Sequence, residues 1–140
     1  MKITICGSIT FKKEMVEFRD KLNEMGHKTI ICPVIEDLAL GKNPELMKKI
    51  EENHAQAKKE GGFIKWYYNS ITDSDAILVL NFDKKREKNY IGGNTLMEMG
   101  FAYVHNKKIF LLNPIPEISY KDEIVAMEPI ILNRNINKIR

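Results

Sequence analysis

The chain has 140 residues, 44% hydrophobic and 29% charged, which is enough for one soluble domain with a continuous core and too short for two. Its 22 Lys and Arg stand against 19 Asp and Glu, a net charge of +3 with the cations scattered among acids, so charge gives no ground for a nucleic acid polymer as partner. No apolar run approaches the ~20 residues of a membrane span, and the opening MKITICGSIT leaves no room for a cleavable apolar segment, so a cytoplasmic protein without membrane contact is expected.

KITIC, Lys2 to Cys6, is short and β-branched and runs at once into Gly7-Ser8, which predicts a buried strand ending in a tight loop. Phe11, Met15, Phe18, Leu22 and Met25 then recur at helical spacing until Gly26, a left-handed terminator. KTIIC, Lys28 to Cys32, repeats the strand pattern, and Pro33 is expected to end it because proline has no N–H for a sheet ladder. Asn43-Pro44 reads as an N-cap and first-turn proline, opening a helix with Leu46, Ile50 and Ala57 on one side until Gly61-Gly62. FIKWYYNSI, Phe63 to Ile71, has strand propensity, but its placement before another strand and the spacing of Phe63, Trp66, Tyr67 and Ile71 favour a short helix.

DAILVLN, Asp75 to Asn81, is an unbroken apolar run, the pattern of a strand covered on both faces, with Asp75 capping or flanking it. A charged, mobile loop, FDKKREKNY, is expected next, then a helix from about Asn94 to Asn106 and a buried strand, KIFLL, Lys108 to Leu112. After NPIPE, Ser119 and Asp122 fit a helix-start pattern, a short helix runs to about Met127, and Ile130 to Leu132 form the last strand. Five apolar strands separated by helices predict a single α/β domain over residues 1–140. Its form is a three-layer, flavodoxin-like or Rossmann-like, five-stranded parallel sheet in the order 2-1-3-4-5.

Cys6 and Cys32 are too few and too far apart for a redox pair or metal framework, and read as small apolar thiols. His27, His54 and His105 share no ligand spacing and read as surface or packing histidines, so neither a metal nor a cofactor is expected. Dinucleotide and P-loop fingerprints are both missing.

Ligands of such sheets bind beyond the carboxyl ends of the strands, which selects Gly7 to Thr10, Asn81 to Gly93 and Asn113 to Ser119 as one crevice. Gly7, Ser8 and the run Gly92-Gly93-Asn94-Thr95 offer close backbone approach and helix N-terminal N–H groups suited to a phosphate or sugar hydroxyl; equally, they form a turn and an ordinary cap. Glu98 lies about one turn into the helix that Asn94 caps, where the dipole favours an ionised carboxylate able to act as a nucleophile or merely to stabilise its helix. With Leu96, Gly100, Tyr103 and Val104 taken as the sheet-facing stripe, Glu98 need not face bulk solvent. The aromatics Phe63, Trp66, Tyr67 and Tyr68 read as core, with stacking on a base as the alternative. Lys84-Lys85-Arg86 and Lys88 read as a solvated loop, with attraction of an anionic substrate as the alternative.

CGSI after the first strand, SDAILVLN as the third and GGNTLMEMGFAYVHNKKIFLL together resemble the nucleoside 2-deoxyribosyltransferase superfamily, which includes the 2′-deoxynucleoside 5′-monophosphate N-glycosidases. The likeness spans most of the chain in motif order and is closest to members sharing YIGGNTLMEMGFA and LLNPIPE. It implies an enzyme that cleaves or transfers the N-glycosidic bond of a (deoxy)nucleoside or nucleoside 5′-monophosphate, with Glu98 of LMEMGFA as nucleophile. It also implies that Gly7, Ser8 and Ile9 contact base or sugar, and that a homodimer or higher oligomer brings Ser119 of a neighbouring subunit to the phosphate, unless Ser119 is only a helix cap.

Two positions depart from the family pattern. Its essential aspartate, eight residues before Asp75, is replaced by Tyr67; Tyr67 or its neighbour Tyr68 is a phenolic hydrogen-bond donor in place of that carboxylate, and Asp73 is a carboxylate near in sequence. The transferases' aspartate six residues before the nucleophile is Gly92, where the monophosphate glycosidases have serine, which favours a nucleotide glycosidase over a base-exchange transferase. The missing aspartate also admits an inactive nucleotide-binding or sensing module.

Overall fold

Every apolar run expected as a strand joins one all-parallel sheet in a computed structural model, which describes residues 1–55 and 62–140. The strands β1 (Lys2–Cys6), β2 (Lys28–Ile30), β3 (Ala76–Val79), β4 (Lys108–Leu111) and β5 (Ile130–Ile131) lie in the order β2-β1-β3-β4-β5, the flavodoxin-like arrangement. All four side chains of β3 are buried, as a strand between two neighbours and under two helical layers requires. Cys6, Val79, Leu111 and Ile131 form one row across the sheet, and the loops leaving β1 and β3 rise from that edge.

The helices are α1 (Lys12–Glu24), α2 (Pro33–Ala39), α3 (Pro44–Glu52), α4 (Phe63–Thr72), α5 (Gly93–Val104) and α6 (Lys121–Ala126). Thr4 Oγ1 is hydrogen-bonded to Ser70 Oγ at 2.8 Å and Ser74 Oγ at 2.7 Å, so Thr4 faces α4. Side chains alternate along a strand, so Cys6 shares that face while Ile3 and Ile5 take the other, where a right-handed crossover carries α1. Ile77, Leu78 and Phe110 are fully or almost fully buried, each contributing roughly 1.5–3 kcal/mol of burial. Asp75 flanks β3 and accepts the Lys2 N–H at 2.7 Å.

Asn43 caps α3 as expected, its Oδ1 accepting the Leu46 N–H at 3.1 Å with Pro44 in the first turn. That helix stops at Glu52; Ala57 and Gly61 lie outside the described residues. Pro33 both follows β2 and opens α2, a helix absent from the sequence reading although Ile35 and Leu38 are buried at helical spacing. The cap of α5 is Gly92, not Asn94, and its inward stripe is Thr95, Glu98, Met99 and Ala102. Tyr103 and Val104, expected to face the sheet, are 49% and 75% exposed. Hydrophobicity alone misassigned that stripe, because two inward positions carry the polar side chains Thr95 and Glu98. Tyr120, not Ser119, occupies the N-cap position of α6, and no side chain caps it. No described helix is long and apolar enough to cross a membrane.

Candidate functional site

The order of connection reverses between β1 and β3, and a cavity of about 260 Å³ opens there, above the carboxyl edge of the sheet. The loop after β1 contributes Gly7, Ser8 and Ile9, and the start of α5 contributes Gly92, Gly93, Asn94, Thr95 and Glu98. Tyr67 and Phe63 of α4 complete the buried wall with Ile35 of α2 and Ile50 of α3. The structure thus brings together every expected site residue except Ser119, which is exposed and not among the lining residues.

Gly7 is required where it stands. A Cβ there, at φ +156°, would lie 3.1 Å from the Leu80 carbonyl oxygen and 3.3 Å from Met15 Cε, so a side chain would push the loop off its neighbouring strand. Ser8 then turns the chain into a single 3₁₀ turn, its Oγ accepting the Thr10 N–H at 3.3 Å. The same oxygen accepts a hydrogen bond from Lys84 Nζ at 3.3 Å, which ties the loops after β1 and β3 together across the cavity mouth. Lys84 also lies over the Tyr90 ring, 4.9 Å from its centroid.

The third expected loop, residues 113–119, supplies no lining side chain because Asn81 ties its start down. Asn81 Nδ2 donates to the carbonyls of Asn113 at 2.9 Å and Pro114 at 3.1 Å, and Asn81 Oδ1 accepts the Asn113 N–H at 2.8 Å. Asn113 Nδ2 returns a bond to the Asn81 carbonyl at 3.1 Å. The charged loop after β3 is likewise built by its own bonds: Lys84 and Glu87 exchange backbone hydrogen bonds at 2.9 and 3.0 Å, and Asp83 accepts the Asn89 N–H.

Glu98 is 7% exposed and Tyr67 6%. Cys6, fully buried on the same face of the sheet, has its thiol pushed well above its usual 9.0 by burial and then by the charge of Glu98 and a hydrogen bond with it. The Tyr67 phenol rises well above 10.0, again through burial first and the Glu98 charge second. Cys32 is raised mainly by burial. Tyr67 and Cys6 therefore stand beside Glu98 as protonated groups at neutral pH, and of the two only Tyr67 lines the cavity where a ligand would lie.

These shifts have a stability consequence. Above about pH 9 the unfolded chain releases the thiol protons, and above about pH 10 the phenolic one, while the folded chain retains them, so stability present below pH 9 is lost as pH rises. The denaturant midpoint should accordingly fall between about pH 8 and pH 10.5; a midpoint flat across that range contradicts this assignment.

Sequence reasoning missed Ile35, Ile50 and His54 as lining residues, whereas Lys84 and Tyr90 fall within the loop it assigned to the crevice. Helical spacing marked Ile50 only as core, and nothing local tells that Lys84 bends back over the cavity. Among the described residues no three His, Cys, Asp or Glu side chains are grouped to hold a metal ion.

Gly92 offers a way to perturb the wall. A Cβ there would meet Tyr90 Oη at 2.9 Å, and that ring is the movable partner. Gly92→Ala should leave the melting temperature nearly unchanged while displacing Tyr90 from beneath Lys84, weakening ligand binding about tenfold; unchanged affinity for every ligand that binds the wild type would show that Tyr90 does not shape the site. Comparison with protein-family models, curated proteins and solved structures finds no match to this chain.

Proposed function

We propose that the chain cleaves or transfers the N-glycosidic bond of a (deoxy)nucleoside or nucleoside 5′-monophosphate, with Glu98 as nucleophile. One observation carries the reading: among the described residues, one buried carboxylate, Glu98, lines a nucleoside-sized cavity beside Gly7-Ser8 and the N-terminal turn of α5. In the first step a Glu98 carboxylate oxygen bonds to the anomeric carbon while the carbon–nitrogen bond breaks, and its electron pair leaves with the base, which takes up a proton. Water, or a second base in a transfer reaction, then attacks the same carbon, loses a proton and frees Glu98. The protonated phenol of Tyr67 donates a hydrogen bond at this centre, orienting Glu98 or easing departure of the base. The chain works as a homodimer or higher oligomer, a reading that fits the exposure of Ser119, which serves the phosphate end of a partner's cavity.

A second reading, a nucleotide-binding or sensing module without turnover, is favoured by one feature: a buried tyrosine stands where the resembled family has an essential aspartate. Incubation with deoxynucleosides, ribonucleosides and their monophosphates, followed by chromatography of free base, separates the two. Base release that depends on Glu98 supports the glycosidase; saturable binding with no release from any substrate supports the module.

A further inference from the structure

Most of the apolar lining of the cavity, Ile35, Ile50 and Phe63, comes from α2 to α4, whereas the loops after β1 and β3 supply Ser8 and Lys84, with Ile9 beside Ser8. This division suits a base on the first side and an anionic group on the second. At about 260 Å³ the cavity falls just below the ~300–1,000 Å³ usual for ligand pockets, so a base and sugar fill it and anything longer extends outside.

What lies outside is cationic. A second hollow of about 450 Å³ shares Lys84 and Tyr90 with the cavity and is otherwise lined by Lys85, Arg86 and Glu87, three cations against one carboxylate. The reciprocal Lys84–Glu87 backbone bonds close a tight turn that presents Lys85 and Arg86 at its tip. Lys85 holds φ 55°, a left-handed conformation that glycine adopts more readily than lysine. Among the described residues, none of Lys84, Lys85 and Arg86 forms an ion pair with a carboxylate, and Asp83 at the base of the turn is engaged by Asn89.

We infer that the substrate carries a chain of two or more phosphates: a nucleoside di- or triphosphate whose base and sugar occupy the cavity, whose first phosphate lies at Ser8 and Lys84, and whose outer phosphates lie over Lys85 and Arg86. The inference rests on the glycosidase reading of Glu98 and names its substrate class. A monophosphate ends at Ser8 and Lys84 and leaves the outer cations unused. A single-stranded polymer needs a cationic groove running onward with aromatic stacking platforms, whereas these cations gather in one hollow whose aromatic lining, among the described residues, is Tyr90.

The test is a matched series: one deoxynucleoside, its 5′-mono-, di- and triphosphate, and a single-stranded oligonucleotide, assayed for base release and for equilibrium binding. The triphosphate should exceed the monophosphate at least about tenfold in kcat/KM at low salt, and the gain should shrink as salt rises from roughly 20 to 300 mM. In Lys85→Gly/Arg86→Ala the triphosphate-to-monophosphate ratio should fall to near one; glycine suits the left-handed backbone, so the turn survives. Equal kcat/KM for mono- and triphosphate, or a ratio that persists in the double variant, overturns the inference while leaving the glycosidase reading standing. If no substrate releases base, the glycosidase reading fails and titration decides this one: triphosphate bound about tenfold tighter than monophosphate, with the difference lost in the double variant, supports it, and equal affinities overturn it. An oligonucleotide bound more tightly than the triphosphate overturns it in favour of a polymer.

Discussion

Glu98→Ala and Glu98→Gln should each reduce base release by at least about 1,000-fold while leaving ligand binding measurable. The alanine variant removes the whole carboxylate, charge and bulk together; glutamine keeps the shape and one acceptor oxygen while removing the charge and the nucleophile. Because the proposed intermediate is an ester between Glu98 and the sugar, intact-mass measurement of the acid-quenched wild-type reaction should detect a sugar adduct missing from both variants. Unchanged circular dichroism separates lost chemistry from lost fold. Substantial activity in Glu98→Gln would mean that the residue acts by hydrogen bonding and not by covalent attack. The neighbours make the contrast sharper: Cys6 and Tyr67 are held protonated by burial and by the Glu98 charge, so neither supplies an anionic nucleophile in its place at neutral pH.

The largest effect on stability is expected at Asn81, a fully buried polar residue at the carboxyl end of β3. Asn81→Ala removes both donors to the Asn113 and Pro114 carbonyls and strands the Asn113 N–H in the interior. Each buried group left unsatisfied costs about 1–3 kcal/mol, so a loss of about 3 kcal/mol is expected, with a fall in melting temperature of roughly 10 °C. The urea midpoint should drop without a change in slope. A loss under about 1 kcal/mol would mean that water replaces the side chain. The same network explains why the loop after β4 stays away from the cavity: its first residues are bound to the end of β3, and Arg134 Nε adds a bond to Asn113 Oδ1 at 3.2 Å.

Local pattern alone settled the sheet. The apolar runs Lys2–Cys6, Ala76–Val79 and Lys108–Leu111 became its three inner strands, because a strand covered on both faces must be apolar throughout and right-handed crossovers leave few orders open. The cap at Asn43 and the turn at Gly26 were legible for the same reason, since each depends on backbone groups only a few residues away. Glu98, Tyr67 and the Gly7-Ser8 and Gly92–Thr95 loops could be nominated from sequence, but that they line one hollow is a matter of strand order, which joins segments about 90 residues apart. Tertiary structure alone placed Lys84 on Ser8, brought Ile35 and Ile50 into the wall and turned Tyr103 and Val104 outward. Those outcomes depend on which helix face meets the sheet and on how far a long side chain reaches across a gap, and neither is encoded in the spacing of neighbours along the chain.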